Sequence, residues 1–152
     1  MKDDEYYMTL AIKEAQKAAA KDEVPVGAVI VDKNENIVGR GYNCPISSND
    51  PTGHAEINAM RMASGALNNY RLIDTVLYVT IEPCIMCMGA IIHARIKRIV
   101  FGAKDLKWGA ASSLYALADD KRLNHHPEVV SGIYEQETKQ LIKNFFLNKR
   151  SR

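Results

Sequence analysis

The sequence predicts an α/β fold, a mixed sheet with helices on both faces. Three observations predict it. Two apolar stretches joined by Lys33-Asn34-Glu35-Asn36 read as a hairpin near the start. Beyond the hairpin, β-rich runs alternate with stretches of helical periodicity, as in sheets whose strands are joined by covering helices. The 152 residues, 47% hydrophobic and 25% charged, suit one domain, 1–152, with a sizeable core.

The elements follow in order. Residues 5–21 read as a helix, because Met8, Ile12, Ala15 and Ala19 recur at helical spacing and Asp3, Asp4 and Glu5 suit its positive end. Residues 24–31 form a buried apolar strand, and 37–42 its hairpin partner. A loop rich in Pro, Ser, Asn and Asp runs to Pro51. Asp50 or Thr52 then caps a helix over 53–67, with His54 and Glu56 in its first turn. A third strand spans 75–81, a helix opened by Cys84 runs to about 94, and a fourth strand covers 98–103. A short amphipathic piece lies near 114–117 and a fifth strand at 129–134. The last helix, 136–148, repeats Leu141, Ile142, Phe145 and Phe146, and this periodicity turns the phenylalanines toward the core.

Two of these helix starts carry chemistry: His54-Ala55-Glu56 and Pro83-Cys84-Ile85-Met86-Cys87. If Cys84 opens its helix, Cys84 and Cys87 share one face of the first turn, where the dipole favours thiolates. With His54 they make three zinc ligands and leave a fourth position for water, the layout of a catalytic site. Glu56, two residues from His54, points about 200° away in a regular helix, which suits a non-ligand beside the metal. Zinc makes water a nucleophile near neutral pH, and a neighbouring carboxylate can carry its proton to a reacting ring and a leaving amine. Other readings compete. A C-x-x-C pair can be a redox couple, and a structural zinc would take a fourth ligand from Cys44, His93, His125 or His126.

A net charge of +2 confines any nucleic-acid surface to a local patch. Lys143, Lys149, Arg150 and Arg152 are candidates for that patch, with a solvated basic tail as the alternative. Three cysteines, two of them in one motif, argue for a reducing, cytoplasmic setting over a disulfide framework. No apolar run is long enough to span a membrane, and Met1-Lys2-Asp3-Asp4-Glu5 lacks a signal-peptide apolar region.

The H-x-E and P-C-x-x-C pair resembles the signature of zinc nucleobase deaminases. Further stretches narrow the likeness: Glu23-Val24-Pro25-Val26-Gly27-Ala28, Gly41-Tyr42-Asn43, Asp50-Pro51-Thr52-Gly53, Tyr70-Arg71-Leu72 and Leu77-Tyr78-Val79-Thr80-Ile81-Glu82. Ile99-Val100-Phe101-Gly102-Ala103 with Asp105, Leu123-Asn124-His125, and Phe145-Phe146 extend it over nearly the whole chain. Together they resemble the bacterial tRNA adenosine deaminases. The resemblance implies a three-layer α/β/α cytidine-deaminase-like fold with a five-stranded sheet, a homodimer, and one zinc per subunit. It implies hydrolytic conversion of adenosine to inosine at the wobble position of a tRNA anticodon loop. By the same likeness Glu56 is catalytic, and His54, Cys84 and Cys87 hold the metal. Asn43 contacts the flipped nucleoside, Val26 and the Ala55 backbone line the base pocket, and Asp105 and Asn124 hold flanking nucleotides.

The chain departs from that pattern at Gly53, Met88 and Trp108, the last in a loop where small or polar residues are common. Trp108 either stacks on a base or covers an apolar patch or dimer contact. Cys44 reads as a small buried residue. The rival readings are a deaminase of a free base or nucleoside on the same fold, a non-catalytic zinc module binding RNA or a partner, and a thiol oxidoreductase.

Overall fold

The computed structural model describes residues 2–151. Five strands, β1 (Gly27–Val31), β2 (Ile37–Tyr42), β3 (Val76–Ile81), β4 (Arg98–Ala103) and β5 (Glu128–Val130), form one sheet in the order β2-β1-β3-β4-β5. β1 runs antiparallel to β2 and β3, while β3–β4 and β4–β5 are parallel. The sheet is therefore mixed. Four helices cover it: α1 (Asp4–Ala20), α2 (Ala55–Leu67), α3 (Ile85–Ala94) and α4 (Glu135–Arg150).

Strand alternation divides the core in two. Ala28, Ile30, Leu77, Val79, Ile99 and Phe101 face α2 and α3. Val29, Val31, Tyr78 and Val100 face α1 through Tyr7, Met8 and Ala11. Gly102 continues this second face. A Cβ there would lie 2.4 Å from the Thr138 hydroxyl, so the glycine lets α4 close on the sheet. The result is the expected three-layer α/β/α arrangement. Asp4 ties α1 to the sheet: it accepts from the Tyr78 hydroxyl at 2.8 Å and from both Arg98 terminal nitrogens at 2.7 and 2.8 Å. Among the described residues no helix is long and apolar enough to cross a membrane.

Several elements differ from the sequence expectation for local reasons. The first strand begins at Gly27, not residue 24, because the Val26 N–H closes a tight turn onto the Val24 carbonyl across Pro25. The buried stripe of α1 is Tyr7, Met8, Ala11, Glu14, Ala15 and Ala18, and Ala19 is exposed. Small residues face the sheet there because Gly27 packs against the Ala11 and Ala15 backbone. β5 stops at Val130, since Gly132 turns the chain at φ +89° toward α4. Near the short amphipathic piece expected at 114–117, a single helical turn spans Leu117–Asp119. Phe145 is half-buried and Phe146 is exposed, so neither phenylalanine enters the core. α4 packs through Thr138 and Ile142 instead, and the phenylalanines contact each other edge to face at 5.3 Å.

Candidate metal centre and substrate pocket

The site begins with a close approach. A Cβ at Gly41 would sit 2.3 Å from the Ala55 carbonyl, so only glycine lets the start of α2 lie on β2. Asn58 fixes the contact, donating to the Tyr42 carbonyl at 3.0 Å and to Cys44 Sγ at 3.3 Å. His54 is the residue before α2, in an extended conformation (φ −81°, ψ 154°), and its imidazole makes no capping bond. Asp50 and Thr52 do not cap the helix. Asp50 accepts from the Thr52 N–H and hydroxyl at 2.9 and 2.7 Å, which orders the preceding turn. Because His54 is extended, helical angles do not set its direction relative to Glu56. On the other side, Cys84 precedes α3 (φ −77°, ψ 177°) and Cys87 lies in its first turn, as the spacing predicts.

These two helix starts bring His54, Cys84 and Cys87 together. His54 Nδ1 is 3.6 Å from each sulfur, and the three donor atoms lie within 4.8 Å of one another. Bonds of about 2.0 Å to nitrogen and 2.3 Å to sulfur at a tetrahedral angle require N···S separations of about 3.5 Å. The donor set and its spacing therefore fit zinc. None of the four candidate extra ligands joins the group. His125 Nε2 lies 2.6 Å from the Ile96 carbonyl, and His126 Nε2 lies 2.7 Å from that of Asp120. His93 is exposed at the end of α3. Cys44 is half-buried, not fully buried as expected, and takes the Asn58 amide.

Electrostatics follow from this crowding. Hydrogen bonding from Cys87 holds the Cys84 thiol down to about 4, against burial, with help from His54. The same pairing and burial push Cys87 up. The hydrogen bond to Cys84 raises His54. Glu56 is 3% exposed in the first turn of α2, and burial pushes its carboxyl up to about 7. Metal binding would draw the proton from Cys87, because zinc takes both sulfurs as thiolates.

A cavity of about 960 Å³ opens over the cluster. Val26, Asn43, His54, Glu56, Cys84 and Asp105 line it. Ala55 is fully buried behind the wall, and Asn124 is exposed and outside the lining. One Asp105 carboxylate oxygen accepts the Lys107 and Trp108 N–H groups at 3.1 Å each. Lys104, Lys107, Lys139, Lys143, Trp108 and Phe146 also line the cavity, together with apolar residues such as the exposed Leu106 and Ile85. In the tail, Lys149 lies 3.6 Å from Asp22 and over the Phe145 ring, and Arg152 falls outside the described residues.

Two acids with no role in the sequence reading organise the pocket walls. Glu82, 2% exposed, accepts from Asp105 N at 3.1 Å, Ser112 N at 2.8 Å, Ser113 N at 3.0 Å, and the Ser113 hydroxyl. Glu23 accepts from Ile46 N at 3.3 Å and Ser47 N at 2.6 Å. Each pins a loop that reaches the cavity. The available signal was an acid bordering an apolar strand, Glu82 after β3 and Glu23 before β1.

Fold and centre together define a zinc-binding deaminase domain: residues 1–103 match the cytidine and deoxycytidylate deaminase zinc-binding region. The tRNA-specific adenosine deaminase of Haemophilus influenzae is 50% identical over 147 residues, 97% of this chain and 85% of its own length. The chain belongs to the family of tRNA-specific adenosine deaminases. A solved structure from a study of A-to-I editing by tRNA:A34 deaminases at the wobble position of transfer RNA is 43% identical with a TM-score of 0.86. It covers 90% of this chain and 98% of its own. The guanine deaminase of Bacillus subtilis is 40% identical with a TM-score of 0.65, covering 68% of this chain and 66% of its own.

Proposed function

We propose that this protein hydrolyses adenosine to inosine at the wobble position of a tRNA anticodon loop, with one zinc per subunit of a cytoplasmic homodimer. The observation that carries the reading is the buried Glu56 carboxyl beside His54, Cys84 and Cys87 at the floor of a lysine-edged cavity. Family membership supports the same reaction. When bound by His54, Cys84 and Cys87, zinc lowers the pKa of a water to about 7 and so supplies the nucleophile.

The chain's residues do the rest. Glu56 takes the proton lost by the attacking water and delivers it to N1 of the purine. It then carries the proton of the hydroxyl added at C6 to N6, so that the C6–N6 bond breaks, C6 becomes a carbonyl and ammonia leaves. Asn43 and Val26, on the cavity wall, orient and enclose the base. A flipped base suits this depth, and unstacking costs least in a single-stranded loop. Glu23 and Glu82 keep the flanking loops in place.

The guanine deaminase likeness makes a free base the rival substrate. The cavity is at the upper end of the roughly 300–1,000 Å³ that suits a drug-sized ligand, and four lysines edge it. A free neutral base gains nothing from such a rim, whereas a polyanion does. The test is to incubate zinc-loaded protein with a minimal tRNA-Arg anticodon stem-loop, and separately with free bases and nucleosides. Inosine in the loop with no ammonia from the free compounds is expected. The reverse result removes the tRNA reading, and sedimentation of the same protein reports the dimer.

A further inference from the structure

Trp108 has no part in the chemistry above, yet the residue is 66% exposed and lines the same cavity as Glu56 and Asn43. Leaving an indole in water is unfavourable unless something covers it. Its backbone is anchored. The Trp108 N–H donates to Asp105 at 3.1 Å, the next residue donates to the Asp105 carbonyl at 2.8 Å, and Glu82 grips the Asp105 N–H from beneath. The ring is thus presented by a fixed loop.

The surroundings specify what covers it. Lys104, Lys107, Lys139 and Lys143 share the cavity lining with Trp108 and Phe146. Cations interleaved with exposed aromatics match single-stranded nucleic acid, with phosphates on the lysines and bases on the rings. An apolar protein partner would leave these lysines without counter-charges. We propose that Trp108 is a stacking platform for a nucleobase adjacent to the target adenosine. The inference rests on the tRNA reading and deepens it by assigning a subsite for a flanking base.

Trp108 is the only tryptophan of the chain, so its emission reports the contact directly. Zinc-loaded protein is titrated with the anticodon stem-loop, following indole emission, anisotropy of end-labelled RNA and inosine content in the same samples. Emission should fall as RNA binds, and an abasic residue at one neighbour of the target should abolish the fall. Trp108→Ala should weaken stem-loop binding about 5- to 150-fold, the range of one base–aromatic stack, and Trp108→Phe should restore most of it. Binding and inosine formation with unchanged emission, and with Trp108→Ala affinity within twofold, overturn the platform alone. RNA that neither binds nor yields inosine overturns the tRNA reading and the platform with it. Emission that depends on protein concentration without RNA, with Trp108→Ala shifting sedimentation, assigns the ring to a second copy and also overturns the platform.

Discussion

Removing the Glu82 carboxylate should damage both stability and substrate binding, and the structure sets the size of the effect. One carboxylate oxygen takes the Asp105 N–H and the Ser113 hydroxyl, and the other takes the Ser112 and Ser113 N–H groups. Glu82→Ala leaves three backbone donors and a hydroxyl in a buried site. Each unsatisfied donor costs about 1–3 kcal/mol, and water entering the space left behind offsets part of that. A loss of about 3–5 kcal/mol is expected, a large share of the roughly 5–15 kcal/mol that holds a domain folded. Glu82→Gln separates shape from hydrogen bonding. It keeps the volume but turns one acceptor into a donor that must face an N–H, so about 2 kcal/mol is expected. Urea unfolding reads both losses. With a slope of about 1.5 kcal/mol/M, the midpoint should fall by about 2–3 M for alanine and about 1.3 M for glutamine. The freed loop carries Asp105 and Trp108, so KM for the stem-loop should rise in the glutamine variant at temperatures where it stays folded. Midpoints within about 0.3 M of the parent for both variants, with unchanged KM, would refute the assignment of Glu82 as the pin of this loop.

The other predictions are shorter. Glu56→Gln should keep zinc by metal analysis and lose turnover by at least about a thousandfold, whereas Cys87→Ala should lose zinc as well. Gly41→Ala should destabilise the protein by at least about 1–3 kcal/mol and loosen zinc, because its methyl would strike the Ala55 carbonyl at the start of α2; a parent-like melting curve would contradict that packing. The hydrogen bond to Arg98 holds Asp4 below the usual carboxylate range. Its folded pKa is thus below its unfolded value, so the contribution is present above about pH 4 and lost as pH falls through the folded pKa. Asp4→Asn should therefore be less stable than the parent at pH 7, and the gap should close toward pH 3 in parallel urea titrations.

The sheet and the metal trio were legible because each rests on a local signal. Val29, Ile30 and Val31 sit in a strand buried on both faces and read as a continuous apolar run. Cys84 and Cys87 needed only the first turn of one helix to fix their spacing. His54 was placed correctly at the start of α2 although its expected helical geometry was not, because either backbone brings it to that end of the helix. The errors fell where burial depended on a partner from a distant part of the chain. Phe145 and Phe146 have core-like periodicity, yet α4 meets the sheet through Thr138 and Ile142, with Gly102 admitting the Thr138 side chain. Glu82 reads as a surface acid until the 105–113 loop folds over it.

That loop shows why substrate contacts are harder to read than catalytic ones. The metal trio sits on regular elements, so its geometry follows from strand and helix starts. Asp105 and Trp108 sit on a segment whose shape comes from one buried carboxylate and from Gly109, where a Cβ would lie 2.5 Å from Glu82. One Asp105 carboxylate oxygen accepts two N–H groups of its own loop, and both Asp105 and Trp108 line the cavity. Gly109→Ala should therefore act like a weakened Glu82 variant. It should raise KM for the stem-loop through displacement of Trp108 and lower zinc content with it, because Gly109 forms a β-bridge with Cys84 and the Ala110 N–H donates to the Pro83 carbonyl at 2.8 Å. A rise in KM with zinc content at the parent value would mean that the loop moves without disturbing Cys84, and the coupling through that bridge would be refuted.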